Sequence, residues 1–408
     1  MSGLFSNLAV RLRKDLVSPP SGQFDSLNGI RALACFLVVA YHVASFSGSL
    51  YSGLESEKNS VFYGVVSALW SGLDFFFVLS GFLISRILLN SLDKKNSIEF
   101  KSFFVRRSMR VFPAYYLILT LAVFWYTTLD IPYSRFLLVG SEGWEAMRDA
   151  SWQNYVYIMN YTFSSGDANP MSWAWSLCVE EHFYLALPLF LVLLHKTGSR
   201  KFELGFILAV TFLPIFLRAY QYYLDPMLDM QEGFYFRTHN RMDEIMVGVV
   251  IGYLYVHHLD SLKGFVERLG ALTWVLGVGC ILTVWIWGGI HKTGMYPVVF
   301  QFLVLALGTG LLMINCLFLS NVATRVLSWK AWFPWARVSY GIYLTHPFVL
   351  FALLTWTEVF ANPGQLEPGR FLLLYALTMV LSAFVACVMF VVMERPLIDL
   401  GVKWSKKF

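Results

Sequence analysis

Arg31 and His42 stand eleven positions apart inside one apolar run, Leu27 to Ser47. At about 100° per residue, eleven steps return to within roughly 20° of the same helix face. The rise between the two is about 16–17 Å, near half of a ~30 Å hydrocarbon core. A neutral imidazole placed there offers a lone pair that can take a proton or attack a carbonyl carbon. A guanidinium at the interface suits an anionic ligand. Ionisable groups inside a bilayer are costly, so each is a functional hypothesis. A plainer use stays open for both: Arg31 as an interfacial topology anchor, and His42 as a hydrogen bonder between packed helices.

Four more clusters share this character. Asp74 lies in the stretch Gly72-Leu73-Asp74-Phe75-Phe76-Phe77-Val78-Leu79-Ser80-Gly81-Phe82, beside three phenylalanines. It must face a partner or a wet cavity, whether for structure or for catalysis. Arg107 and Arg110 are three apart, hence neighbours on one helix face. They serve either as positive-inside anchors or as a fork for phosphate oxygens. Glu180, Glu181 and His182 sit together in an apolar segment. The two carboxylates point about 100° apart, so one faces a cavity and the other pairs elsewhere. His239, Arg241, Asp243 and Glu244 form a charged group that is either a salt-bridged gate or a site for substrate hydroxyls. Further on, His346 precedes Pro347, which frees a backbone carbonyl in mid-helix. Near the C-terminus, Glu394 is read as neutralising an arginine at the cytoplasmic face.

These residues need membrane helices to hold them. The 408 residues are 57% hydrophobic and 14% charged, with mean hydropathy +0.58. Soluble domains carry roughly 25% charge. Several apolar runs exceed 18 residues, so the expectation is an all-α, polytopic membrane protein in one bundle. Ten spans are expected, near 27–47, 61–89, 111–128, 172–194, 203–222, 239–258, 270–289, 297–319, 338–357 and 370–393. With the N-terminus inside, 21 of the 31 Lys and Arg fall in cytoplasmic segments, seven fall in outer loops, and Arg31, Arg86 and Arg218 fall in span ends. That asymmetry places both termini in the cytoplasm.

The expected domains are a tail over 1–23, a membrane domain over 24–399 and a tail over 400–408. The first tail is polar and basic, unlike a cleavable signal peptide, and reads as a short surface helix broken at Pro19-Pro20. The long loop 129–171 is rich in aromatic residues and reads as structure packed over the bundle mouth. No internal repeat of the kind found in many transporters is evident. The five cysteines all lie in apolar segments and read as packing residues rather than disulfides or metal ligands. No metal and no nucleic-acid partner is expected, and the oligomeric state is left open.

Together the motifs resemble the membrane acyltransferase family 3. The likeness rests on Arg31 with ten residues before His42, on the run from Asp74 to Phe82, and on Phe103-x-x-Arg106-Arg107-x-x-Arg110-x-x-Pro113. It rests equally on Glu180-Glu181-x-Phe183-Tyr184, on Arg241-x-Asp243 and on Ser339-Tyr340-x-x-Tyr343-Leu344-x-His346. Cys178 departs from the pattern, which has serine two residues before the glutamate. The resemblance implies a ten-helix core that takes an acyl group from cytoplasmic acyl-CoA, with acetyl-CoA the first candidate. The group passes to a hydroxyl of a carbohydrate acceptor, such as a surface polysaccharide or lipopolysaccharide sugar, across the inner (cytoplasmic) membrane. Some members carry an appended hydrolase-like domain, and this chain ends soon after Glu394-Arg395-Pro396, so none is expected.

On this reading Arg31, Arg86, Arg107 and Arg110 hold the donor's phosphates. His42 is base or acyl carrier, and Glu180, or less strongly Asp74, orients it. His239, Arg241, Asp243 and His346 meet the acceptor. A small glycosylated metabolite or lipid as acceptor, or a membrane transporter without transfer chemistry, are the competing readings.

Overall fold

A computed structural model of the chain describes residues 16, 24–47, 61–128, 141–162, 169–356 and 368–408. The expected tail 1–23 lies almost wholly outside the described residues, as do 129–140 and 163–168 of the long loop. The described residues are all-α, with no strand among them. Helices close every backbone hydrogen bond within the segment, which hydrocarbon requires. In chain order they are α1 Asp25–Phe46, α2 Val61–Ala68, α3 Gly72–Lys95, α4 Phe100–Thr128, α5 Ser141–Tyr155 and α6 Met159–Thr162. There follow α7 Trp175–His195, α8 Arg200–Leu224, α9 Met242–His257, α10 Leu259–Leu269, α11 Ala271–Trp287 and α12 Gln301–Phe318. The last four are α13 Val322–Leu327, α14 Trp332–Trp356, α15 Pro368–Met389 and α16 Arg395–Ser405.

An apolar helix occupies each of the ten expected intervals, but the lengths are unequal. Among the described residues eight helices are long and apolar enough to cross a membrane, and a ninth if the bent pair α9 and α10 counts as one span. The differences fall on expected spans six and seven. The residues ahead of α9 form a short 3-10 turn, Thr238–Asn240, rather than the start of the span. α9 then runs 16 residues and turns through 112° into α10. The sequence of α10, Leu-Asp-Ser-Leu-Lys-Gly-Phe-Val-Glu-Arg-Leu, puts charge on one face and Leu262 and Val266 in the interior. That is the pattern of a helix lying along an interface. α11 has 17 residues, and Gly289 beyond it takes φ of 140°, a conformation closed to other residues without strain. The loop 129–171 contains α5 and α6, so part of it is ordered helix.

The chain groups into two compact units. The first comprises Met1–Leu79, Asp260–Gly279 and Gly308–Pro396; the second comprises Ser80–Leu259, Cys280–Leu307 and Leu397–Phe408.

In the first unit α1 and α14 run in the same direction. Cys35 Sγ meets the Ser339 carbonyl at 3.9 Å, His42 faces His346, and Phe46 packs on Phe351. The step from 35 to 42 and from 339 to 346 is seven residues on both helices, two helical turns, which keeps the same faces opposed. Lower on the pair, Phe36 packs edge-on against Trp332 and Trp335. α15 closes against α14 where Gly341 meets Ala386: a methyl on Gly341 would lie 2.8 Å from the Ala386 Cβ. Gly29 approaches the Leu327 backbone and Gly72 approaches α1 in the same way, so small residues set the helix spacing.

In the second unit α3 reaches α9 through Gly81, whose missing side chain leaves room for the Ile245 carbonyl. Two fully buried ion pairs hold the start of α9. Arg218 of α8 forks onto Asp243, with Nη2 to Oδ2 at 2.7 Å and Nη1 to Oδ1 at 3.2 Å, and also donates to the carbonyls of Val299 and Asn240. Arg241 pairs with Glu244 at 2.7 Å, and its guanidinium lies over the rings of Trp175, Tyr235 and Phe302. All four side chains are 0% exposed. Near the ends of α3 and α9, Arg200 bridges Asp93 and Glu203, and His257 lies 3.2 Å from Asp93. The five cysteines are free thiols, three of them buried.

Candidate functional site

The first unit places two imidazoles together. His42 Nδ1 and His346 Nε2 are 2.7 Å apart, and the two rings meet edge to edge and nearly coplanar, with centroids 4.9 Å apart and 16° between their planes. Phe46, one turn on, stacks on a face of His42 at 5.1 Å. His346 is fully buried, while His42 is half-buried. The second nitrogen of His346, Nδ1, donates to the Ile342 carbonyl at 3.0 Å. Pro347 has no N–H to donate to the Tyr343 carbonyl. The seven-residue register of α1 and α14 brings the pair together, and the proline breaks the backbone ladder beside it.

The remaining first-unit candidates lie on α1 and α3. Asp74 is fully buried in the first turn of α3, where the helix dipole favours a carboxylate. Arg31 is half-buried on α1, one stripe below His42.

The second unit builds a different cluster, around Glu180 and Glu181 on α7. Arg107 of α4 lies 3.4 Å from Glu180 and 3.6 Å from Glu181. Its guanidinium carbon sits 3.7 Å above the Tyr184 ring. The Tyr184 hydroxyl donates to Glu180 Oε2 at 3.0 Å, and the Ser80 hydroxyl donates to Oε1 at 3.1 Å. Tyr184 is one turn beyond Glu180, so α7 presents acid and phenol on one face. The 100° between Glu180 and Glu181 leads to the expectation that they cannot both serve one point. The reach of the Arg107 fork and of the two side chains nonetheless lets both carboxylates meet one cation, each about one-seventh exposed.

The expectation for Arg107 is a phosphate contact; in the structure its cation meets two acids. Arg110 is exposed, and Arg86 is half-buried with its guanidinium 5.9 Å from the Phe82 ring. His182 Nδ1 lies 2.8 Å from the Thr238 hydroxyl.

His239, Arg241 and Asp243 follow one another in sequence but point to different places. His239 stacks on Tyr161 at 5.7 Å, with the Tyr161 hydroxyl 3.1 Å from Nδ1. Burial, and next the Arg237 charge, hold its pKa below the ordinary histidine range. Arg241 and Asp243 are enclosed in the buried pairs described above. Among the described residues no group of three or more His, Cys, Asp and Glu side chains converges as a metal site.

Ser80, Tyr184, Arg218 and Glu244 take part in these clusters, although the sequence pattern, which contains all four, assigns none of them a site role. Arg218 carried a usable signal, an arginine inside an apolar span. Tyr184 and Ser80 carried only their place in the motifs, because hydroxyls are common in such helices.

Residues 24–387 match the acyltransferase 3 model, described as an acyltransferase domain, and the chain belongs to that family. It is 28% identical over 354 residues to a Bacillus subtilis (strain 168) protein named the putative peptidoglycan O-acetyltransferase YrhL, covering 83% of this chain and 50% of that one. It is 24% identical over 376 residues to a Staphylococcus aureus (strain COL) protein named a putative O-acetyltransferase, covering 87% and 55%. Over a shorter stretch of 171 residues it is 33% identical to the peptidoglycan O-acetyltransferase OatA of Listeria monocytogenes, covering 42% and 24%. The chain thus spans about half the length of the curated relatives YrhL and the Staphylococcus protein. No solved structure matches it.

Proposed function

We propose that the protein is a multi-pass membrane O-acyltransferase that moves an acyl group, acetyl first among candidates, to a sugar hydroxyl of a cell-envelope glycan. The observation that carries this reading is the hydrogen-bonded imidazole pair of His42 and the buried His346 in a chain of this family. A ring nitrogen there can take the proton of an acceptor hydroxyl or carry the acyl group itself. The acceptor class is supported by relatives named as peptidoglycan O-acetyltransferases.

The donor in this reading is a cytoplasmic thioester, acyl-CoA, used as a substrate. Arg31, Arg86 and Arg110 are the side chains proposed to meet its phosphates, by the bidentate fit of guanidinium to phosphate. The charge asymmetry supports a cytoplasmic N- and C-terminus in an inner (cytoplasmic) membrane. Glu180 belongs in the machinery through the cluster it forms with Arg107, Ser80 and Tyr184. Arg241 and Asp243 are proposed as the structural brace of α9 rather than as acceptor contacts, because Glu244 and Arg218 occupy their polar atoms. His239, on the Tyr161 ring, is the acceptor-side candidate, since flat rings suit sugar faces.

The test compares the O-acetyl content of envelope glycans, by mass spectrometry, in cells with wild-type protein and with His42→Ala at matched membrane levels. Loss of acetylation supports the reading, and wild-type acetylation overturns it.

A further inference from the structure

The geometry points to His346 as a positioning residue that fixes the tautomer of His42, so that Nε2 of His42 is the reactive nitrogen. This rests on the acyltransferase reading above and goes one step into its chemistry.

A backbone carbonyl sets the proton positions of both rings. The Ile342 oxygen can only accept, so His346 Nδ1, at 3.0 Å from it, must carry a hydrogen. A neutral imidazole with a proton on Nδ1 has a lone pair on Nε2. His42 Nδ1 is 2.7 Å from that Nε2, so the hydrogen between the two rings belongs to His42. His42 is then protonated on Nδ1 and has its lone pair on Nε2. One carbonyl, two rings and two hydrogen bonds thus dictate which edge of His42 is basic. His346 has no exposed surface, and its hydrogen bond to its own helix holds the ring in place. Phe46 against one face of His42 and the hydrogen bond to His346 at its edge restrict the first ring.

The transfer balances on this arrangement. His42 Nε2 takes the proton of the acceptor hydroxyl while its oxygen bonds to the acyl carbon of the thioester. The bond from that carbon to sulfur breaks, and the Nε2 proton leaves with the sulfur as a thiol. While His42 holds the extra proton, its Nδ1–H still points at the His346 lone pair, which shares the positive charge. The Ile342 carbonyl cannot take a proton onward, so His346 locks and stabilises but does not drain the site. In the covalent route the same Nε2 bonds to the acyl carbon as the carbon–sulfur bond breaks and the thiolate leaves. The acceptor oxygen then takes the acyl group as the carbon–nitrogen bond breaks, and its proton goes to the thiolate.

The test uses the full-length protein in detergent micelles with 15N-labelled histidine, the His42 signals being identified with His42→Gln. The wild-type protein should show His42 protonated on Nδ1 and bare on Nε2 at neutral pH. His346→Phe keeps a flat ring but no acceptor, and should let His42 take the other tautomer. His346→Gln offers an amide oxygen to the Nδ1–H and should retain the wild-type pattern. In parallel, rates of glycan O-acetylation should fall by about 10²–10⁴-fold in His346→Phe with KM little changed, and recover to within about tenfold of wild type in His346→Gln.

A wild-type His42 protonated on Nε2, or a His346→Phe variant with unchanged nitrogen signals and rate, overturns the inference. Activity in His42→Ala would instead bring down the underlying acyltransferase assignment. An inactive His42→Ala beside a fully active His346→Phe would bring down this inference alone.

Discussion

At the scale of single residues, the second unit concentrates charge in a way that makes direct predictions. Glu180 and Glu181 share Arg107 at 3.4 and 3.6 Å. Replacing the cation in Arg107→Met leaves two neighbouring acids facing each other in a mostly apolar setting. We expect lower thermal stability in micelles, by less than the about 3–5 kcal/mol of a fully buried pair because the groups are partly exposed. Removing one acid as well, in Arg107→Met with Glu181→Gln, should recover part of that stability without restoring glycan acetylation. Equal melting temperatures for the single and double variants would show that the acids do not repel in this way.

His239 supplies a pH prediction. Its folded-state pKa is depressed by burial and then by Arg237. The unfolded chain therefore binds the proton first as pH falls through the ordinary histidine value near 6.5, so stability declines below that point until the folded form titrates too. His239→Gln should flatten this part of the melting-temperature profile between pH 7 and 5. An unchanged profile would contradict the assignment.

At the scale of elements, the spacing of helices follows from small residues and buried pairs. Gly341 lies against Ala386, and any larger side chain must push α15 from α14. Gly341→Leu should therefore destabilise the protein by about 1–3 kcal/mol. It should also disturb the His42 nitrogen signals, because α14 carries His346. A variant with native melting temperature and native signals would mean the contact yields freely.

The Arg218 and Asp243 pair is the stronger brace. Arg218→Met strands a buried carboxylate and should cost about 3–5 kcal/mol, whereas Arg218→Met with Asp243→Leu should be much milder. The comparison is read from thermal unfolding of the three proteins. Pro347 and the seven-residue register of α1 against α14 belong to this scale too. They decide which ring faces which, and a change in helix packing would undo the pair without touching either histidine.

At the scale of the whole molecule, the Lys and Arg asymmetry predicts both termini on the cytoplasmic side. Reporter fusions that are active only in the cytoplasm or only outside, placed at residue 408 and in the loop near residue 292, should give opposite signals. Matching signals at both places would reject the topology. The all-α class and the ten apolar intervals were legible from composition and run length alone. The count of full spans was not. Among the described residues the shorter helices are α9 and α11, where a polar 3-10 turn, a 112° bend and a glycine at φ 140° shorten what hydropathy averages over. Sliding averages register apolar content, while helix ends are set by turns and glycines that occupy two or three residues.

The site divides along the same line. Residue type and the cost of charge in hydrocarbon were enough, by themselves, to single out Arg31, His42, Asp74, Glu180, Asp243 and His346. That cost acts on each residue separately, so it is written in the one-dimensional string. Which of them meet was decided only in three dimensions. His42 found His346, 304 positions away. Glu180 found Arg107, Ser80 and Tyr184, and Asp243 found Arg218. Pairing depends on helix rotation and on approaches permitted by glycines such as Gly81 and Gly341. Those are properties of packed surfaces, and a periodicity read along one helix does not contain the face that its neighbour will present.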